Sequence, residues 1–182
     1  MQTLKEKIKK EDLRKIAISK RDFMAKVGMI EKISKKISTN IINSSTYKNA
    51  KNIALYYPIK NEIDITSILS KEKNFYFPKC INNEMFFIKV NSLDELKKGA
   101  FNIPEPKGNI ENPKNIDVFY IPTLLANKNC YRLGYGKGFY DRFFKSNSTN
   151  AKKIIVLSKV FVDDTFIQDE FDYKLDEIIT ED

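Results

Sequence analysis

The run Arg132-Leu133-Gly134-Tyr135-Gly136-Lys137-Gly138-Phe139-Tyr140-Asp141-Arg142 constrains this chain more than any other stretch. Glycine at three alternate positions lets the backbone come close to a bound group and take φ values that a Cβ resists, while Arg132, Lys137 and Arg142 bring three positive charges to the same turn. Just upstream, Asp117-Val-Phe-Tyr-Ile-Pro122 reads as a buried strand, and the glycine-free aromatic stretch from Phe139 to Lys145 can open a helix. A strand, a glycine turn and a helix N-terminus set unpaired N–H groups and the positive end of a helix dipole around one anion. Polyphosphate suits that charge. The spacing matches neither common phosphate loop: Gly138 and not Ser or Thr follows Lys137, and the third glycine comes one residue too early for a dinucleotide fingerprint. Taken as Gly-x-Gly-x-Gly alone, a tight turn with no ligand is the plainer alternative.

With 182 residues, 42% of them hydrophobic, the chain is expected to form a single domain over 1–182 with its own core. Cys80 and Cys130 are its only cysteines, no apolar run approaches the ~20 residues needed to span a bilayer, and Met1-Gln-Thr-Leu-Lys5 lacks the apolar core of a signal peptide. The expectation is a cytoplasmic protein with two free thiols and no membrane partner. A formal charge of +8 fits nucleic acid, phosphate-rich small ligands or a lysine-rich surface equally well. A nucleic-acid module should interleave aromatics with a basic stripe, whereas the aromatics here lie in apolar strands, so no nucleic-acid partner is expected. There is no histidine, which excludes Ser-His and Cys-His nucleophilic catalysis and, with two cysteines, argues against tightly held zinc.

Along the chain, apolar residues at helical spacing from Leu4 to Ile41 predict two helices, or one broken near Gly28. Lys10 and Arg14 lie at i, i+4 on the first; from spacing alone this is a solvated basic face. Asn52 to Tyr57 reads as an interior strand stopped by Pro58, followed by a turn with Glu62 and a short helix that Thr66 can cap. Asn74–Pro78 and Met85–Val90 read as strands around a turn at Cys80–Glu84, and Leu93–Lys98 as a short helix ended by Gly99. Pro104 and Pro106 argue against regular structure there. Lys153–Leu157 is a further strand, and a last short one ends the tail after Phe171-Asp172. Strands alternating with helical stretches predict an α/β fold: a single three-layer domain with a mainly parallel open sheet and helices on both faces.

The eleven-residue run resembles the signature of the 5-formyltetrahydrofolate cyclo-ligase family, Arg-Leu-Gly-x-Gly-x-Gly-Tyr-Tyr-Asp-Arg after a strand ending in proline. Further segments match in order from Lys10 to Asp176: Lys10-x-x-Leu13-Arg14, the turn with Glu62, and Asn102-Ile-Pro104-Glu-Pro106. The resemblance implies ATP-dependent conversion of 5-formyltetrahydrofolate to 5,10-methenyltetrahydrofolate, a carbon–nitrogen ligation releasing ADP and phosphate, by a monomer acting on two small molecules. It implies that Lys10, Arg14 and the run Arg132 to Tyr140 (Leu133, Gly134, Tyr135, Gly136, Lys137, Gly138 and Phe139 between them) bind ATP, with Lys137 and Arg132 catalytic. Tyr57, Glu62 and the segment Tyr135 to Phe139 would bind folate, and Phe101 would pack on the pterin. Asp141 and Asp172 become the Mg2+ ligands, with Asp176 as the fallback. The sequence departs from the family at Asn127, where aspartate is common, and at Cys130, where glycine is usual, which puts the local turn geometry in question. A relative that binds folate or nucleotide without turnover is the alternative.

Overall fold

The computed structural model describes residues 9–99 and 103–182. Two helices open it, α1 (Lys10–Lys26) and α2 (Met29–Asn43), separated by Gly28 as the sequence predicts. A short α3 (Ser45–Asn49) follows, its N-terminus capped by the Ser44 hydroxyl, which accepts from the Tyr47 N–H at 3.1 Å. The first strands are β1 (Asn52–Ala54), β2 (Asn74–Ile81), β3 (Glu84–Val90), β4 (Lys97–Lys98) and β5 (Pro104–Glu105). Then come β6 (Val118–Pro122), β7 (Leu125–Ala126), β8 (Arg132–Leu133), helix α4 (Phe139–Ser146), β9 (Lys152–Val156) and β10 (Glu177–Ile179).

Six strands form one sheet in the order β10-β9-β6-β1-β2-β3, parallel at every pairing except the antiparallel β2–β3 hairpin. Alternate residues of β6 separate the two faces. Phe119 meets Phe143 and Phe144 of α4 edge-on at centroid distances of 5.8 and 5.2 Å, and Phe87 joins them at 5.1 Å from Phe119. Tyr120, one residue on, turns its hydroxyl to the other side, toward Ser44 and Tyr47. On that side α2 buries Ile33, Ile37 and Ile41, and its Asn40 amide donates to the Thr180 carbonyl just past β10 at 3.0 Å. Helices therefore cover both faces of a mainly parallel sheet.

Four local expectations need correction. The hairpin turns through Asn82 and Asn83 alone, at φ +48° and +65°, because Cys80 and Ile81 still pair with Met85 and Glu84. Leu93–Glu95 is one 3-10 turn capped by Ser92, and Lys97–Lys98 then pair with Pro104–Glu105 as a two-stranded ribbon, so the stretch is neither helix nor irregular. Proline is tolerated there because a two-stranded ribbon has an open edge that needs no N–H. Thr66 begins a 3-10 turn and does not cap it; its N–H donates to the Asp64 carboxylate two residues earlier at 2.8 Å.

The topology fixes where a ligand can sit. Strands β1 and β6 are parallel neighbours, yet the chain leaves β1 toward β2 on one side and leaves β6 toward β9 on the other. A crevice opens outside the carboxyl ends of two such strands. From β1 the chain enters it as Tyr57–Glu62; from β6 it enters as Thr123, the β7–β8 ribbon and the glycine run.

Candidate active site

The glycine turn is stapled at its base. Arg132, on β8 and 6% exposed, donates from Nη2 to Asp141 Oδ2 at 2.9 Å, and its guanidinium lies 5.0 Å from the Tyr140 ring. Asp141 sits in the first turn of α4, where a carboxylate complements the helix dipole, and its Oδ1 accepts from the Tyr173 N–H at 3.2 Å. Gly138, at φ +64°, is the residue from which α4 starts, so the first N–H groups of that helix face the turn without intrahelical acceptors. Gly136, at φ +93°, lies against α1: a Cβ there would sit 3.4 Å from Arg14 Cζ. Lys137 is exposed between the two glycines, and its carbonyl accepts from Arg142 Nη1 at 2.7 Å. Arg142 also reaches the Asn83 carbonyl at 3.2 Å, anchoring the turn to the hairpin. The Leu133 side chain is buried in the core, so only its backbone belongs to the turn.

A basic stripe of α1 closes over this turn. Lys10, Arg14, Ala17 and Arg21 share one helical face. Arg14 Nε donates to the Gly134 carbonyl at 2.9 Å, and Lys10 Nζ bridges Asp169 at 2.7 Å and Asp172 at 2.6 Å. Burial opposes the charge on Lys10, but the two carboxylates outweigh it and hold the ammonium above its ordinary value. Arg21 is buried, donating to the Thr123 carbonyl at 2.5 Å and to the Tyr135 hydroxyl at 3.2 Å. The basic face is therefore docked against the site, not solvated.

Glu62 is 6% exposed, not a surface carboxylate. The Ile59 N–H donates to its Oε2 at 3.0 Å. Burial pushes its carboxyl up to about 7, against that hydrogen bond and the charges of Arg21 and Lys60. The same carboxylate acts electrostatically on Tyr135, whose phenol is pushed up to about 12 chiefly by burial, and on Tyr140. Lys60 lies 4.9 Å from the centre of the Tyr135 ring. The loop after β1 and the glycine turn thus share one crevice. Pro58, Lys60, Glu62 and residues of α2 line a cavity of about 530 Å³ beside it. Tyr57 is half-buried against the core at the start of the same loop. Phe101 lies outside the described residues.

Among the described residues no three of His, Cys, Asp and Glu converge as a metal cage. Asp141 and Asp172 come into one neighbourhood, since the Tyr173 N–H that Asp141 accepts from belongs to the residue after Asp172. Each already faces a cation, Arg132 for Asp141 and Lys10 for Asp172. That arrangement does not fit a resident metal; it fits an ion arriving on nucleotide phosphates, which needs only one or two protein carboxylates and keeps several waters. Asp176 lies elsewhere, accepting from the Lys153 N–H at 2.8 Å at the opposite end of β9.

The two departures prove structural. Asn127 is buried, donates to the Phe166 carbonyl at 3.3 Å and to Gln168 at 3.0 Å, and accepts from the Asn129 and Tyr131 N–H groups; an aspartate has no N–H for the first two. Cys130 adopts φ +63°, the left-handed conformation that glycine takes without strain, and burial raises its thiol, so it is no nucleophile. Sequence reasoning missed Arg21 and Asp169. For Arg21 the signal was present, seven residues after Arg14 on the same stripe; for Asp169 only the three-dimensional approach of the tail to α1 reveals it.

A parallel α/β sheet whose switch-point crevice holds a cationic glycine turn and a buried carboxylate is the arrangement of a phosphate-handling enzyme. Its particular family follows from comparison. The model of the 5-formyltetrahydrofolate cyclo-ligase family matches residues 6–181, and the chain belongs to that family. It is 33% identical over 180 residues to a 5-formyltetrahydrofolate cyclo-ligase of Mycoplasma genitalium, covering 94% of this chain and 98% of the relative. Among solved structures, a 5,10-methenyltetrahydrofolate synthetase of Mycoplasma pneumoniae superposes with TM-score 0.78 at 30% identity, covering 96% of this chain and 100% of the other. The Aquifex aeolicus 5,10-methenyltetrahydrofolate synthetase gives TM-score 0.84 at 34% identity, covering 94% and 89%. As a member of the family the protein is an ATP-dependent ligase.

Proposed function

We propose that residues 1–182 act as one catalytic unit that converts 5-formyltetrahydrofolate to 5,10-methenyltetrahydrofolate, with ATP bound on the glycine-turn side of the crevice and folate on the Glu62 side. The observation that carries this division is a difference between carboxylates: Asp141 and Asp172 beside the turn are ion-paired with Arg132 and Lys10, while the buried Glu62 carboxylate on the β1 loop accepts from a backbone N–H. A carboxylate that close to bare phosphates would be repelled; facing the N–H groups of a pterin it is an acceptor.

The chemistry needs positioning more than covalent help. The formyl oxygen attacks the γ-phosphorus and ADP leaves; nitrogen-10 then adds to the activated formyl carbon, its proton departs, and phosphate is expelled to leave the methenyl bridge. Each phosphoryl step gathers negative charge, which Lys137, Arg132 and the N–H groups opening α4 would receive. Lys10 and Arg14 would reach the nucleotide from α1, and Mg2+ would enter with ATP, taking Asp172 or Asp141 as a protein ligand once Lys10 or Arg132 turns to phosphate. Tyr57, Glu62 and Tyr135 would orient the pterin. We propose a monomer in the cytoplasm; among the described residues no helix is long and apolar enough to cross a membrane.

The test is a coupled assay of the purified chain: methenyl-folate absorbance should appear only with both 5-formyltetrahydrofolate and MgATP, with one ADP formed per product. Binding of both ligands without turnover would instead support a non-catalytic relative.

A further inference from the structure

Arg21 is 2% exposed, and a buried guanidinium has five N–H groups to satisfy. Nη2 donates to the carbonyl of Thr123, the residue at which the chain leaves β6, at 2.5 Å. Nη1 donates to the Tyr135 hydroxyl at 3.2 Å, and the guanidinium carbon lies 5.5 Å from the centre of the Phe161 ring. The Thr123 hydroxyl in turn lies 2.8 Å from the Leu125 carbonyl and 3.0 Å from that of Leu133. Arg21 thus grips the root of the glycine turn and a side chain at its tip from one point on α1.

Glu62 interacts electrostatically with Arg21 from α1, Lys60 on its own loop, Tyr56 just past β1, Tyr135 in the glycine turn and Tyr140 from α4. Only Arg21 and Lys60 among these are cations. Lys60 is exposed, where solvent and salt screen its charge; Arg21 is buried, where they do not.

We propose that Arg21 is a positioning residue for the folate half of the crevice, fixing Tyr135 through its phenol and the root of the glycine turn through the Thr123 carbonyl. The proposal rests on the reading of Glu62 given above. The buried charge of Arg21 also works against the burial that raises the Glu62 carboxyl, and so favours the ionised form, which accepts hydrogen bonds and presents no O–H to the donors. Lysine does not substitute, since one ammonium cannot span Thr123 and Tyr135 with the geometry of a planar fork.

The experiment uses the full chain with Arg21→Met, Arg21→Lys, Tyr135→Phe and Glu62→Gln, each checked for cooperative melting. The ligand-free protein is titrated by carbon-13 NMR at the Glu62 carboxyl; the midpoint should rise by about one pH unit or more in Arg21→Met, a tenfold change in the ionisation equilibrium, and stay near the parent value in Tyr135→Phe. At pH 7, 5-formyltetrahydrofolate should bind about tenfold more weakly to Arg21→Met while ATP binding stays within about twofold. If Arg21→Met does not fold, Arg21→Lys decides in its place, with a several-fold weaker folate affinity expected. An unmoved Glu62 midpoint, or equal loss of ATP and folate, overturns the role of Arg21. Undiminished folate affinity in Glu62→Gln overturns the reading beneath it instead, so the two failures are told apart.

Discussion

Arg132 and Asp141, nine residues apart, meet in a 2.9 Å ion pair that joins β8 to the first turn of α4 across the glycine run. With side chains 6% and 18% exposed, the pair is shielded enough that removing one partner leaves a costly lone charge. Asp141→Ala should therefore destabilise by about 3 kcal/mol, roughly a 10 °C fall in melting temperature for a chain of this size. The double variant Arg132→Met, Asp141→Leu should recover most of that stability without recovering turnover, because an apolar pair restores packing but no charge for phosphate. A single variant that melts like the parent would show that the pair does not hold the turn.

Asp172 and Asp169 share the Lys10 ammonium but should differ in function. Asp172→Asn replaces a hard anionic ligand by a neutral amide and should raise the magnesium concentration needed for half-maximal turnover several-fold, on the order of 3 to 10. Asp169→Asn should leave that requirement unchanged. Equal magnesium curves for both variants would confine Asp172 to its ion pair.

Lys137 stands between Gly136 and Gly138, exposed on the turn that the ion pair braces. Lys137→Ala should lower kcat by on the order of 100-fold, the loss typical for removing one donor to a charge that develops in the transition state. The melting temperature should hardly move. Near-normal turnover would exclude the lysine from phosphoryl transfer.

The parallel sheet, both helix-covered faces and the glycine turn were legible in the sequence, because each rests on a local period or a local run. Phe119 and Tyr120 alternate, α2 repeats its isoleucines at helical spacing, and the turn is contiguous. What was not legible depends on tertiary approach. From its residues alone the turn Asn61-Glu62 does not say whether the carboxylate is buried; the fold settles it when the loop turns back to give Glu62 the Ile59 N–H. Asp172 reads as part of an acidic tail until Lys10 is brought beneath it from 162 residues away. The short β4–β5 ribbon went unseen because proline chemistry disfavours strands in general and says little about the open edge of a two-residue pairing.

Cys130 is a local strain that sequence comparison suggested and the backbone bears out. At φ +63° a side chain costs on the order of 1 kcal/mol, so Cys130→Gly should stabilise by about that much, less glycine's greater freedom in the unfolded chain. Melting should rise by a few degrees at most, roughly 2 °C, with turnover unchanged. A fall in melting temperature would mean that the half-buried thiol contributes more through packing than its backbone costs.

Glu62 gives the protein a stability that depends on pH in the opposite sense to most carboxylates. Its folded-state value of about 7 lies above the ordinary 4.5, so the folded chain holds a proton that the unfolded chain has released between those two values. Where the native state binds more protons, stability falls as pH rises. The loss begins near pH 4.5, is complete above pH 7, and amounts to roughly 3 kcal/mol for a shift of this size. Glu62→Gln removes the titration while its amide oxygen can still accept from the Ile59 N–H. The variant should therefore melt higher than the parent at pH 8 and close to it at pH 4.5, although it binds folate more weakly by roughly 1–3 kcal/mol through the mismatched hydrogen bonds. Denaturant titrations of both proteins at the two pH values measure the difference directly. A gap between them that does not widen with pH would mean that Glu62 is ionised in the folded state as readily as in water, and that the crevice does not hold it under strain.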